Sequence, residues 1–225
     1  MPVPLDLPAA EAAIIAKTND FRRQNKLAPV RPNAQLTAAA RAYARKLAGY
    51  SGLSHTADGT TPAERVTAGG YKYCQIGENL AALLDTRGFT AESYAARAVD
   101  GWENSPGHRK NMLLPHVTET GVGIVQTSPT QPKYIAVQLF ARPEAAQYSF
   151  KVVNGTARAV VYRFDGEQST VSPREIITHT ACMPGTIAFD ADAKTAARYV
   201  TRAGQVYSLK SDGTGGVAVE VGDGR

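Results

Sequence analysis

The chain has 225 residues, 43% of them hydrophobic and 20% charged, which excludes intrinsic disorder and suffices for one large domain or two small ones. Its net charge of +5 and pI near 9.2 suit an anionic envelope, lipid or glycan surface, but its longest basic runs, Arg22-Arg23 and Arg109-Lys110, exclude a nucleic-acid interface. No stretch approaches the roughly 18 to 20 apolar residues of a membrane helix, and Met1 to Pro8 show neither the basic nor the apolar region of a signal peptide.

In chain order, Ile14, Ile15, Thr18 and Phe21 recur at helical spacing and predict a first helix over Glu11–Arg23. Leu36, Ala39, Ala40, Tyr43 and Leu47 predict a second over Ala34–Ala48, capped near Asn33 and ended by Gly49. Thr61-Pro62-Ala63-Glu64 is a capping box with proline at the first helical position, so a short third helix begins there and stops at Gly69-Gly70. A fourth starts at Thr90, with Tyr94, Ala95, Ala98 and Trp102 on one face, and ends near Gly101. Ser105-Pro106 predicts the cap and first residue of a fifth. The β-branched runs Thr120–Thr127 and Tyr134–Ala141 predict an antiparallel hairpin, joined by a loop over Ser128–Pro132. Helices first and a hairpin last give an α+β fold or a layered α-β-α sandwich.

Arg142 to Ala146 is a polar break that places one domain at residues 1–143 and a second at 147–225. In the second, Asn154-Gly155, Asp165-Gly166, Pro184-Gly185, Ala203-Gly204 and Asp212-Gly213 punctuate short alternating runs. Turns at that spacing predict a small all-β sandwich-like domain. The two cysteines, Cys74 and Cys182, leave two readings open: separate partly buried thiols, or one long-range disulfide formed in an oxidising compartment.

Three residues stand out for chemistry: His55, Glu78 and His108. Glu78 precedes the apolar stretch Leu80–Leu84 and is expected at the mouth of a buried strand, where a carboxylate needs a partner. His108 falls in the first turn of the predicted fifth helix, whose dipole disfavours imidazolium; neutral imidazole is the metal-ligating form. Taken singly, His108 is more often a capping or packing histidine than a ligand and His55 a loop residue hydrogen-bonded to backbone, and the spacing fits no local metal motif. No Gly-x-Ser-x-Gly elbow, His-Glu-x-x-His helix or phosphate-binding glycine loop occurs.

Five stretches in order nevertheless carry a specific resemblance. They are Ser54-His55-Thr56, Gly77-Glu78-Asn79-Leu80-Ala81, the run from Trp102 to Leu113, Thr120–Ile124 and Tyr134–Phe140. Over roughly Glu11 to Arg142 the chain resembles the CAP superfamily of cysteine-rich secretory, antigen-five and pathogenesis-related proteins, in its bacterial form. The resemblance implies an α-β-α sandwich, a secreted or periplasmic location, and a cleft of two histidines and two acidic residues that holds a divalent ion in several members. His55, His108 and Glu78 match three of the four. The fourth usually lies three residues after the tryptophan, where this chain has Ser105. Glu103 is one residue from Trp102, and such an offset turns a side chain about 100° away on a helix. The resemblance thus implies a metal pair His55 and His108, with Glu78 as third ligand, and zinc ahead of magnesium or calcium. Asn79, Trp102, Arg109 and Asn111 are expected to be scaffold, Arg109 paired with a carboxylate and Asn111 tied to the following loop.

The leading expectation is a binding protein for a small apolar molecule, lipid, glycan or envelope protein, through the His55/Glu78/His108 cleft. The alternative is a metal-assisted hydrolase of protease type on the same residues, with Ser54 as a further conceivable nucleophile. A third reading makes the cleft a structural relic.

Overall fold

The computed structural model describes residues 4–128, 131–190 and 198–224. Two compact units divide the chain, Met1–Ala145 and Ala146–Arg225.

The first unit contains five helices whose starts are fixed by local chemistry. Helix α1, Leu7–Gln24, begins earlier than its apolar spacing indicates, because the Asp6 side chain accepts from the amide of Ala9 and a proline lies in the first turn. Helix α2, Ala34–Leu47, is capped by Asn33, which accepts from the amides of Gln35 and Leu36. Helix α3, Pro62–Ala68, has the reciprocal Thr61/Glu64 capping box, and α4, Ala91–Glu103, a similar exchange between Thr90 and Ser93. Helix α5 runs Pro106–Met112; Ser105 occupies its cap position, but its side chain makes no capping hydrogen bond. The pre-set φ of Pro106 is what initiates that helix.

Four strands form one sheet: β1 (Arg31–Pro32), β2 (Tyr73–Leu84), β3 (Glu119–Ser128) and β4 (Gln131–Pro143), in the order β1-β3-β4-β2. The β3–β4 and β2–β4 pairs are antiparallel, and β1 joins β3 in parallel. The predicted Ser128–Pro132 loop is shorter than expected: Ser128 pairs with Gln131, and residues 129 and 130 lie outside the described residues. Strand β2 is longer than its apolar half suggested, because polar residues fill its first half.

Alternation along β4 builds the layers. Tyr134, Ala136 and Phe140 pack with Ile14, Phe21, Tyr94, Ala98, Trp102 and Met112 of α1, α4 and α5. Ile135, Val137, Leu139 and Ala141 pack with Leu36, Ala40, Tyr43, Leu47 and Val66 of α2 and α3. One sheet with an apolar cluster on each face is an α-β-α sandwich. Trp102 is 2% exposed, and its indole N–H donates to the Leu80 carbonyl at 2.9 Å, the buried anchor its phase predicted. Two glycines bring α2 onto β3. A Cβ on Gly121 would lie 2.3 Å from backbone atoms of Leu36 and Thr37, and one on Gly123 2.2 Å from the Arg41 amide.

The second unit is a small all-β sandwich. Strands β5 (Tyr148–Asn154), β8 (Ile176–Ala181), β11 (Gln205–Ser211) and β12 (Val217–Asp223) form one sheet, ordered β12-β11-β5-β8. Strands β6 (Val160–Phe164), β7 (Glu167–Val171), β9 (Thr186–Phe189) and β10 (Arg198–Val200) form the other, ordered β10-β9-β6-β7. The β5–β11 pair is parallel, which turn spacing does not reveal. Phe150, Val152, Tyr207 and Leu209 from one sheet meet Tyr162, Val171, Ile187 and Phe189 from the other in one core. Among the described residues no cysteine is free, and Cys74 and Cys182 are both disulfide-bonded.

His179 on β8 stacks on Phe150, with ring centroids 4.9 Å apart, and its Nε2 is 2.6 Å from the Tyr162 hydroxyl. Burial holds its imidazole below the ordinary value of 6.5, so the folded state takes up its proton less readily than the unfolded chain. The stability it contributes is present above about pH 6.5 and is lost as pH falls through the lower folded value. Amide exchange of β5 and β8, corrected for intrinsic rate, is therefore expected to accelerate between about pH 7.5 and about pH 5. His179→Phe should flatten that response; protection that is independent of pH in the parent protein would refute it.

Candidate functional site

Strand β2 is the outer strand on its side of the sheet, so side chains from both helix layers can reach round its edge. Glu78 opposes Leu139 and Leu80 opposes Val137, which puts Glu78 on the face covered by α2 and α3. Asn79 points to the other face. Glu78 thus sits mid-strand rather than at a strand mouth, with its side chain 1% exposed.

Both carboxylate oxygens of Glu78 are engaged. Oε1 is 2.8 Å from His55 Nδ1, and Oε2 accepts from the Arg65 guanidinium at 2.7 Å. A carboxylate only accepts, so the hydrogen of this pair sits on His55 Nδ1, and Nε2 is the ring's other nitrogen. That nitrogen makes no hydrogen bond among the described residues, and the His55 side chain is half exposed.

Arg65 stands in the last turn of the short helix α3, where the helix dipole does not oppose a cation. Its guanidinium donates to the carbonyls of Thr60 at 2.6 Å and His55 at 3.0 Å, and lies 3.4 Å from the centroid of the Tyr43 ring. Tyr43 is itself fixed, donating to the Ser54 carbonyl and accepting from the Ala57 amide. Asp58 completes the cluster, 3.7 Å from Arg65. The hydrogen bond from Lys46, helped by Thr60, holds its carboxyl well below the usual carboxylate range.

From the opposite layer α5 braces the strand. Asn79, fully buried, donates to the His108 carbonyl at 3.1 Å. Asn111 donates to the Glu78 carbonyl and to Asn79 Oδ1, each at 2.9 Å. Asn111 therefore ties α5 to β2, not to the loop that follows it. Arg109 was expected to pair with a carboxylate; its guanidinium instead lies 4.8 Å from the Phe21 centroid and donates to the Glu103 carbonyl. Burial lowers the His108 imidazole below its ordinary value, and His55 nearby lowers it further, so His108 is neutral near pH 7. Burial, then Asp100, raises the Glu103 carboxyl, while Arg109 and Lys17 oppose the rise. The charges around Glu103 thus belong to α1, α4 and α5, not to the His55 loop.

A cavity of about 320 Å³ opens beside the cluster, lined among others by His55, Glu78, Thr61, Pro62, Ile76 and Asn111. His108 is not among its lining residues. Ser54 Oγ accepts from the Thr56 amide at 3.2 Å.

The donor set does not fit a divalent ion. Both oxygens of Glu78 already accept a hydrogen bond, one from Arg65 and one from His55, and the fixed guanidinium charge repels a second cation there. Among the described residues no group of three or more His, Cys, Asp or Glu side chains could hold a metal. Sequence reasoning passed over Arg65, Tyr43 and Ile76.

The chain is similar to known proteins over the first unit. A family model described as CAP, the cysteine-rich secretory protein family, matches residues 15–140. The uncharacterized protein YkwD of Bacillus subtilis (strain 168) is 30% identical over 125 residues, covering 55% of this chain and 46% of that protein. An extracellular protein containing an SCP domain from Bacillus anthracis str. Ames superposes with a TM-score of 0.50 and 26% identity, over 60% of this chain and 41% of that one. An outer surface protein from Borrelia burgdorferi gives 0.54 and 23% identity, over 64% of this chain and all of the other, a likeness of fold. The chain thus spans less than half the length of either Bacillus relative, and the family match ends before the second unit begins. With five ordered motifs, the sandwich and a family match over more than half its length, the chain belongs to the cysteine-rich secretory protein family.

Proposed function

We propose that the first unit is a recognition module working outside the cytoplasm, and that its cleft binds a neutral ligand with both polar and apolar faces. Cell-envelope glycan is the class that fits. The observation that carries this is the internal neutralisation of Glu78. The Arg65 guanidinium is paired with the Glu78 carboxylate and Lys46 with Asp58, so the charges of the cluster balance in pairs and leave no carboxylate or cation over to attract an ionic ligand. The cavity is lined by the polar residues His55, Thr61 and Asn111 beside the apolar Pro62 and Ile76. A sugar ring offers the matching pair of surfaces, hydroxyls and an apolar C–H face. The volume, about 320 Å³, stands at the lower end of the range for ligand pockets. Disulfide-bonded cysteines fit an oxidising compartment, and two of the structural relatives are an extracellular protein and an outer surface protein.

Titrating the full chain with soluble cell-wall oligosaccharides, followed by NMR, tests this reading. Resonances of His55, Ile76 and Asn111 are expected to shift, and His55→Ala to weaken binding about tenfold, one charge-free hydrogen bond's worth at its upper end. Binding by no oligosaccharide, or binding indifferent to both His55→Ala and Ile76→Asp, would overturn it.

One observation favours a second reading. An Nδ1 fixed on a carboxylate with a free Nε2 is the arrangement of a general base, so His55 would activate a water for hydrolysis. Mass spectrometry of the same titrations separates the two: oligosaccharides recovered intact support binding, and cleavage lost in His55→Ala supports hydrolysis.

A further inference from the structure

We infer that Arg65 is the resident cation of this cleft, taking with its guanidinium the place beside Glu78 that a divalent ion would otherwise need. Four observations converge. The Arg65 side chain is 9% exposed and Glu78 1%, so the pair is shielded from water and screened little by salt. Oε2 is bonded to Arg65 at 2.7 Å and Oε1 to His55 at 2.8 Å, so a further cation here would share an oxygen with an N–H already bonded to it and be repelled by the guanidinium. The guanidinium is over-determined, held by two carbonyls, the Tyr43 face and Asp58. The same guanidinium holds both the backbone carbonyl of His55 and the carboxylate that orients its ring.

Arg65 is therefore a positioning residue for His55. It stabilises the Glu78 charge and pins the loop that carries the imidazole, two tasks a metal ion would otherwise combine. Unlike a metal it cannot be chelated away, and unlike a histidine it does not lose its charge at any physiological pH. The cleft is set permanently in its metal-free form, with His55 turned so that Nδ1 serves Glu78 and only Nε2 faces outward. This inference is independent of what the cleft binds.

Calorimetric titration of the EDTA-treated full chain with zinc chloride, then magnesium and calcium chloride, is the test. Wild type and His55→Ala are expected to give the same isotherm, and EDTA to leave the thermal midpoint unchanged. Arg65→Met frees an oxygen of Glu78 next to His55, so its zinc affinity should rise about tenfold or more, the scale on which groups around a metal site act. Arg65→Met/Glu78→Gln should lose that gain. One equivalent of zinc bound by wild type and lost in His55→Ala would overturn the inference, as would a folded Arg65→Met with no gain. Should Arg65→Met not fold, the comparison of wild type with His55→Ala decides alone: equal isotherms support it and an extra equivalent in wild type refutes it.

Discussion

Gly123→Ala is expected to destabilise the first unit by about 3 kcal/mol or more, the upper range for overpacking a well-packed contact. The added methyl group would lie 2.2 Å from the Arg41 amide and 2.4 Å from the Ala40 carbonyl carbon and the Arg41 Cα. These are backbone atoms of α2, so no rotamer change relieves the clash; the helix itself must move off β3. Gly121→Ala meets Leu36 and Thr37 in the same way. The cost is not confined to one contact, because the cluster of Leu36, Ala40, Tyr43 and Leu47 moves with the helix. Urea unfolding followed by fluorescence measures it cleanly. The chain has one tryptophan, Trp102, buried in the first unit, so the signal excludes the second. A midpoint lowered by roughly 1 M or more is expected for a urea m-value of about 2 to 3 kcal/mol/M. A midpoint equal to wild type would mean that α2 slides without loss.

Arg65→Met should cost nearly as much, about 3 kcal/mol, the lower bound for breaking a buried ion pair by removing one partner. The lower bound applies because His55 still holds one oxygen of Glu78. The contribution from the Tyr43 face is lost as well. The expense lies in the carboxylate left behind, not in the missing guanidinium. Arg65→Met/Glu78→Gln is therefore expected to recover most of the loss, and the double-mutant cycle isolates the pair from the rest. Should Arg65→Met unfold within about 1 kcal/mol of wild type, the cluster is wetter than its burial indicates and the ion pair behaves as a surface bridge.

Much of this was written locally in the chain. Asn33, Thr61 and Thr90 start their helices through hydrogen bonds spanning only two or three residues, which is why their sequence signals hold. Ser105 shows where that logic stops: the residue type and backbone are right, yet its side chain makes no capping bond. Strand β2 was only half legible because an edge strand bearing Glu78 and Asn79 loses the apolar periodicity that marks a buried one. The two glycines read as part of a motif, but their reason is the closeness of a helix about eighty residues earlier in the chain.

By itself the sequence determined the five helices and the anchoring role of Trp102, since capping and helical spacing act over a few residues, and its five ordered motifs carried the resemblance that implied the family and its layered sandwich. It also supplied His55, Glu78 and His108 as candidates. Tertiary structure alone decided what those residues do. It joined His55 to Glu78 across 23 positions, set Arg65 on the remaining oxygen from a helix facing β2, and left His108 off the cavity wall. Such pairings depend on which face of an edge strand a carboxylate occupies and on which helix covers that face. Both are fixed by packing of segments far apart in the chain, where no local pattern reaches.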